Sequence, residues 1–180
     1  MNTPRYVVDN CTLINFAVVD RLDLISSVLV DAAWLAAVAF ETRRSARYVP
    51  TLDHAACRQW LGEPIETDLP EDNARVETIR LALGGTRREP LRNLGEAQSI
   101  HAILTRVELA DAVFVTDDAS AADMARRNGI AVWTTVEIMR TCYDFGKIGC
   151  PDAFLLLREM SDGHDRRGVR VPRDHTAVCP

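Results

Sequence analysis

Short apolar runs alternate along the chain with longer stretches whose apolar positions recur at helical spacing, the pattern of an α/β fold. Tyr6, Val7 and Val8 read as a buried strand ending at Asp9. Two short helices are expected over 12–19 and 22–29, on either side of Asp20. The spacing predicts a helix over 32–46, with Trp34, Val38 and Glu41 on one face. Residues 48–67 carry Pro50, Gly62 and Pro64 and fit either a hairpin or a short helix with loops. A helix over 71–83 closes at Gly84-Gly85 and a basic loop over 86–92 follows. The second half is plainer: a helix over 94–107 with Ala97, Ile100, Leu104 and Val107 inward, a strand over 112–116, a helix over 119–128 stopped by Gly129, and a strand over 130–133. Thr134 and Glu137 fit a capping box that opens a helix to about Tyr143. Pro151 suits the start of a last helix over 152–160, and residues 161–180 read as a mobile or loosely docked polar tail.

Composition narrows the class. The chain has 180 residues, 47% hydrophobic and 26% charged, which suits one folded domain rather than a disordered or disulfide-scaffold chain. No apolar run reaches membrane-spanning length, and the start lacks the basic and apolar regions of a signal peptide, so a soluble cytoplasmic protein is expected. The five cysteines include no C-x-x-C pair, so zinc-ribbon and thioredoxin readings lose support. Cys142 and Cys150 read as buried thiols. A net charge of −5 argues against indiscriminate coating of nucleic acid.

The chemistry lies in the acids. Asp9 ends one strand and Asp117-Asp118 end another, so a parallel sheet would bring them to one carboxyl edge, where ligands of open α/β sheets bind. Glu41 and Glu96 sit on apolar helix stripes. Each acid alone has a plainer use: Asp117 or Asp118 as a helix N-cap, Glu96 as a first-turn acid, Glu41 as a partner of Arg44 or Ser45, Asp9 as a turn residue. Together they are costly to bury unpaired, and one shared cation would satisfy them. All-oxygen donors favour Mg²⁺ or Mn²⁺.

Four segments resemble the PIN-domain family in order. These are Val7-Val8-Asp9-Asn10-Cys11-Thr12-Leu13-Ile14, Val38-Ala39-Phe40-Glu41-Thr42-Arg43-Arg44, Leu94-Gly95-Glu96-Ala97-Gln98-Ser99-Ile100, and Val113-Phe114-Val115-Thr116-Asp117-Asp118 with Ala125 and Gly129-Ile130-Ala131-Val132 after it. The resemblance implies a three-layer α/β/α domain with a central, mostly parallel sheet over 1–160, an insertion-like segment over 48–92 and the tail beyond. It implies a Mg²⁺- or Mn²⁺-dependent ribonuclease, most often the toxin half of a VapBC-type toxin–antitoxin pair. Asp9, Glu41, Glu96 and Asp118 match the family's catalytic metal ligands, with Asp117 a further metal ligand that assists Asp118 or substitutes for it. RNA is then the substrate, a small antitoxin the partner and a homodimer an expected assembly. Cys11 stands where the family usually has Ser or Thr.

Arg44, Arg87 and Arg88 are candidate RNA-phosphate contacts beside these acids, though any single arginine also suits a solvated face. With the five acids set aside, the formal charge of the rest is zero. His54, His101, His164 and His175 show no metal spacing. Two other functions stay open at this point: a PIN-like RNA- or protein-binding module without activity, and a phosphoacceptor receiver. The receiver pattern fits less well, because the paired acids come late and Lys147, the only lysine, falls in a turn.

Overall fold

The computed structural model describes residues 6–67, 70–162 and 168–180. The N-terminal five residues and positions 163–167 of the expected tail lie outside the described residues. Four parallel strands form one sheet in the order β2-β1-β3-β4: β1 (Tyr6–Val8), β2 (Ala32–Ala33), β3 (Val113–Val115) and β4 (Val132–Trp133). Every residue of β1 and β3 is buried, as strands covered on both faces must be.

The covering helices are α1 (Asn10–Val18), α2 (Leu22–Val28), α3 (Ala36–Ser45), α4 (His54–Leu61), α5 (Pro70–Ala82), α6 (Leu94–Thr105), α7 (Ala119–Arg127), α8 (Thr135–Asp144) and α9 (Asp152–Asp162). They sort into two packed groups. In one, α6 packs against α3, α5 and α7; in the other, α8 packs against α2 and α9, and α1 touches both groups. This is the three-layer arrangement expected from sequence. Phe16, Phe114, Trp34 and Ile100 fill its core. Among the described residues, no helix is long and apolar enough to cross a membrane.

Several expectations are corrected. The helix expected from residue 32 begins at Ala36, because Ala32 and Ala33 pair with Tyr6 and Val7 as an edge strand. Just beyond it, Ile65 bonds through its N–H to the Trp34 carbonyl (2.9 Å) and through its carbonyl to the Ala36 N–H (3.0 Å). The ambiguous 48–67 stretch contains α4, N-capped by Asp53, with Cys57 and Leu61 buried. Leu104 and Val107 face solvent, at 47% and 88% exposure, because α6 ends at Thr105 and buries Ala102 and Ile103 instead. Cys150 is not a free thiol: it forms a disulfide with Cys179. The described part of the tail is therefore docked, and Val178 and Cys179 are buried.

The basic 86–92 loop has an unforeseen organiser. Arg80 of α5, only 2% exposed, donates to the carbonyls of Thr86, Glu89 and Arg92 and pairs with Glu77 at 2.7 Å. Gly85 is needed there, since a Cβ would press on the Arg80 guanidinium and carbonyl, each 2.7 Å away.

Candidate functional site

The chain leaves β1 for β2 on one side of it and later returns to β3 on the other. The carboxyl ends of β1 and β3 thus form the topological switch point, where open α/β sheets present a crevice. Asp9 follows β1 directly, and its N–H bonds to the Val115 carbonyl of β3 at 2.9 Å. It caps α1 through Oδ1, which accepts the Asn10 N–H at 2.7 Å. Oδ2 accepts the Cys11 thiol and the Thr116 hydroxyl, each at 3.0 Å. The residue is 1% exposed. Burial pushes its carboxyl above the usual range, Asp118 adds to the rise, and the three hydrogen bonds oppose it.

Cys11 does a hydroxyl's work with sulfur. Burial first, and then the charges of Asp9 and Asp117, hold its thiol well above its ordinary pKa. It stays protonated, donates to Asp9, and accepts the Asp117 N–H at 3.3 Å.

Glu41 and Glu96 arrive on α3 and α6. Asn10 ties the end of α3 to α1, accepting from the Thr42 hydroxyl (3.1 Å) and donating to Ser45 (3.3 Å). At its start α3 lacks a capping side chain of its own; Gln98 of α6 accepts the Ala37 N–H instead, at 3.0 Å. Gly95 lets the two helices close up. A Cβ there would stand 3.0 Å from Val38 Cγ2 and 3.4 Å from Glu41 Oε2. Glu96, one residue on, has its carboxyl pushed up to about 8. Burial is the largest cause, followed by the negative charges of Asp9, Glu41 and Asp118, while a backbone hydrogen bond opposes them. Acids from β1, α3 and the end of β3 therefore all act on a fourth from α6.

Asp117 and Asp118 divide the remaining work. Asp117, 6% exposed, accepts from Thr12 Oγ1 (3.1 Å), Asn15 Nδ2 (3.0 Å), and Thr135 N and Oγ1 (3.0 and 2.5 Å). Its oxygens knit α1 to α8 behind the sheet edge. Asp118 caps α7 with Oδ1, taking the Ala121 N–H at 2.7 Å, and Oδ2 has no hydrogen-bond partner among the described residues.

Residues 5–174, nearly the whole chain, match a family model described as PIN domain. The chain belongs to the PIN-domain family. No curated relative and no solved structure matches it. PIN domains are generally nucleases and usually bind divalent metals.

The donor set of this PIN domain suits such an ion in kind. Its oxygens are all carboxylate, and Glu96 lies among like charges that a cation would relieve. Among the described residues, no three His, Cys, Asp or Glu side chains stand as a ready-made metal-binding group. The fit is thus one of donor chemistry.

A cleft of about 370 Å³ opens on Cys11, Glu96, Asp117, Asp118, Gly168 and Arg170. The arginines singled out from sequence are not in its lining. Arg44 is exposed at the end of α3, its guanidinium 5.8 Å from the Phe40 ring centre. Arg87 and Arg88 are exposed on the loop around Arg80. The lining arginine that sequence reasoning missed is Arg170, in the segment read as loose tail. Cys179 was the available signal: a cysteine near the chain end is a means of fastening it.

Proposed function

We propose that this PIN domain is a divalent-metal-dependent endoribonuclease. Following the resemblance to VapBC-type toxins, we infer a cytoplasmic toxin that pairs with a small antitoxin and forms a homodimer. The observation that supports the nuclease reading best is Glu96, whose carboxyl is raised to about 8 partly by Asp9, Glu41 and Asp118. Acids from three other elements make this fourth one harder to ionise, and a shared cation would relieve that repulsion.

Asp9, Glu41, Glu96 and Asp118 would hold Mg²⁺ or Mn²⁺. Asp117, held by Thr12, Asn15 and Thr135, would support them from behind. When bound, such an ion supplies an activated water and neutralises charge on the phosphate under attack. The chain's own part is positional. Thr116 and Cys11 fix one oxygen of Asp9 and leave the α1 cap to the other. Glu96 holds a proton on its carboxyl near neutral pH and releases it when positive charge arrives. Arg44, Arg87 and Arg88, outside the cleft, would meet RNA phosphates away from the cut.

The test is cleavage of a single-stranded RNA by the purified full-length chain. Cleavage should need Mn²⁺ or Mg²⁺, stop with chelator, and be lost in Glu96→Gln and Asp118→Asn. RNA binding without cleavage in any divalent ion would instead make it a binding module. Cleavage that persists in both variants would place the active site elsewhere.

A further inference from the structure

The last described residues form a strap fastened at one end and laid across the sheet edge at the other. The Cys150–Cys179 disulfide and buried Val178 fix its far end to the start of α9. Val169 and Val171 pack on the core. At the near end Gly168 has φ +82°, and a Cβ on it would overlap the Asp117 carbonyl oxygen. Only glycine lets the backbone run so close to the acidic edge.

Two residues on, Arg170 lines the acidic cleft with Cys11, Glu96 and Asp118. It also lines the adjoining cleft, about 240 Å³, with Arg126, Thr134 and Glu137. Its side chain is exposed and makes no hydrogen bond or ion pair among the described residues. A strap built to block the acids would show this guanidinium paired with Glu96 or Asp118; here it stands beside them unengaged. We propose that Arg170 is a substrate-binding residue, which grips a backbone phosphate of RNA where the acidic cleft meets its neighbour. This inference rests on the nuclease reading above. A planar guanidinium takes a phosphate through two parallel hydrogen bonds, and its charge offsets the field with which the acids repel the substrate.

The experiment measures steady-state cleavage of single-stranded RNA, in Mn²⁺ and over a range of salt, by the full chain with its disulfide intact. Arg170→Ala should raise KM about tenfold, the loss expected for one charged hydrogen-bonding contact. It should also lower the slope of log(1/KM) against log[salt] by about one. Its kcat and the Mn²⁺-induced rise in melting temperature should stay at wild-type values. Arg170→Lys should restore the salt slope, which follows charge, but only part of the affinity, which needs the fork. Unchanged KM and slope in Arg170→Ala, with wild type active, would overturn this inference alone. Faster cleavage by Arg170→Ala would overturn it in favour of a blocking strap. An inactive wild type would sink it together with the nuclease reading.

Discussion

A carboxylate offers about four hydrogen-bond acceptor sites, and four hydrogen bonds converge on Asp117, three on Oδ2 and one on Oδ1. Asp117→Asn would put an NH2 group against donors from Thr135 or Asn15. Leaving such buried donors unsatisfied costs about 1–3 kcal/mol, and urea unfolding should show a loss of that size. Asp118→Asn keeps an oxygen for the Ala121 N–H, so its stability should change by no more than about 0.5 kcal/mol. The metal response should divide the opposite way. The Mn²⁺-induced rise in melting temperature should shrink in Asp118→Asn and survive in Asp117→Asn wherever that variant is folded. If Asp117→Asn alone lost the Mn²⁺ shift, the two residues would exchange roles. Sequence placed both acids at a strand end, but the four donors around Asp117 come from residues 12, 15 and 135, far from it in the chain.

At the scale of elements, Gly168 is the point where strap and sheet edge meet. Gly168→Ala adds a Cβ where the Asp117 carbonyl stands and asks alanine to hold φ +82°. The strap must lift at this end. RNA affinity should fall as in Arg170→Ala, and amides of residues 168–171 should exchange faster with solvent, while those of β1 and β3 stay protected. Wild-type exchange and affinity would show that the contact is not needed to hold the strap. The strands, most helices and the capping box were legible because their signals are local: an apolar run, a 3.6-residue period, a Thr and a Glu at set spacing. The strap was not, because polar residues around Gly168 and Pro172 look like a chain end. What docks it is a disulfide to a cysteine 29 positions earlier and one glycine against a distant carbonyl. The role of Arg80 is hidden in the sequence for the same reason, since its carbonyl partners collect only when the loop closes round it.

Across the whole molecule, the gathered acids should set how stability depends on pH. Glu96 titrates near 4.5 when free of its neighbours and near 8 in the folded chain. Between those values the folded state holds a proton that the unfolded state has lost. Stability from this group is therefore full below about pH 4.5 and declines until about pH 8. Asp9 and Asp117, also raised, push the same way, so the informative quantity is the difference between wild type and Glu96→Gln. Without metal the variant should match wild type near pH 4.5 and become progressively more stable than it up to pH 8, by melting temperature. Adding Mn²⁺ should invert the order. Carboxylates must shed protons to bind a metal, so the wild-type gain should grow with pH. At a hundredfold excess over the dissociation constant, binding to the folded state alone adds about 2.7 kcal/mol. The variant, with one donor fewer, should gain much less. Parallel curves for the two proteins, with and without Mn²⁺, would mean that Glu96 neither feels its acidic neighbours nor meets an ion, and the site would have to be sought away from this edge.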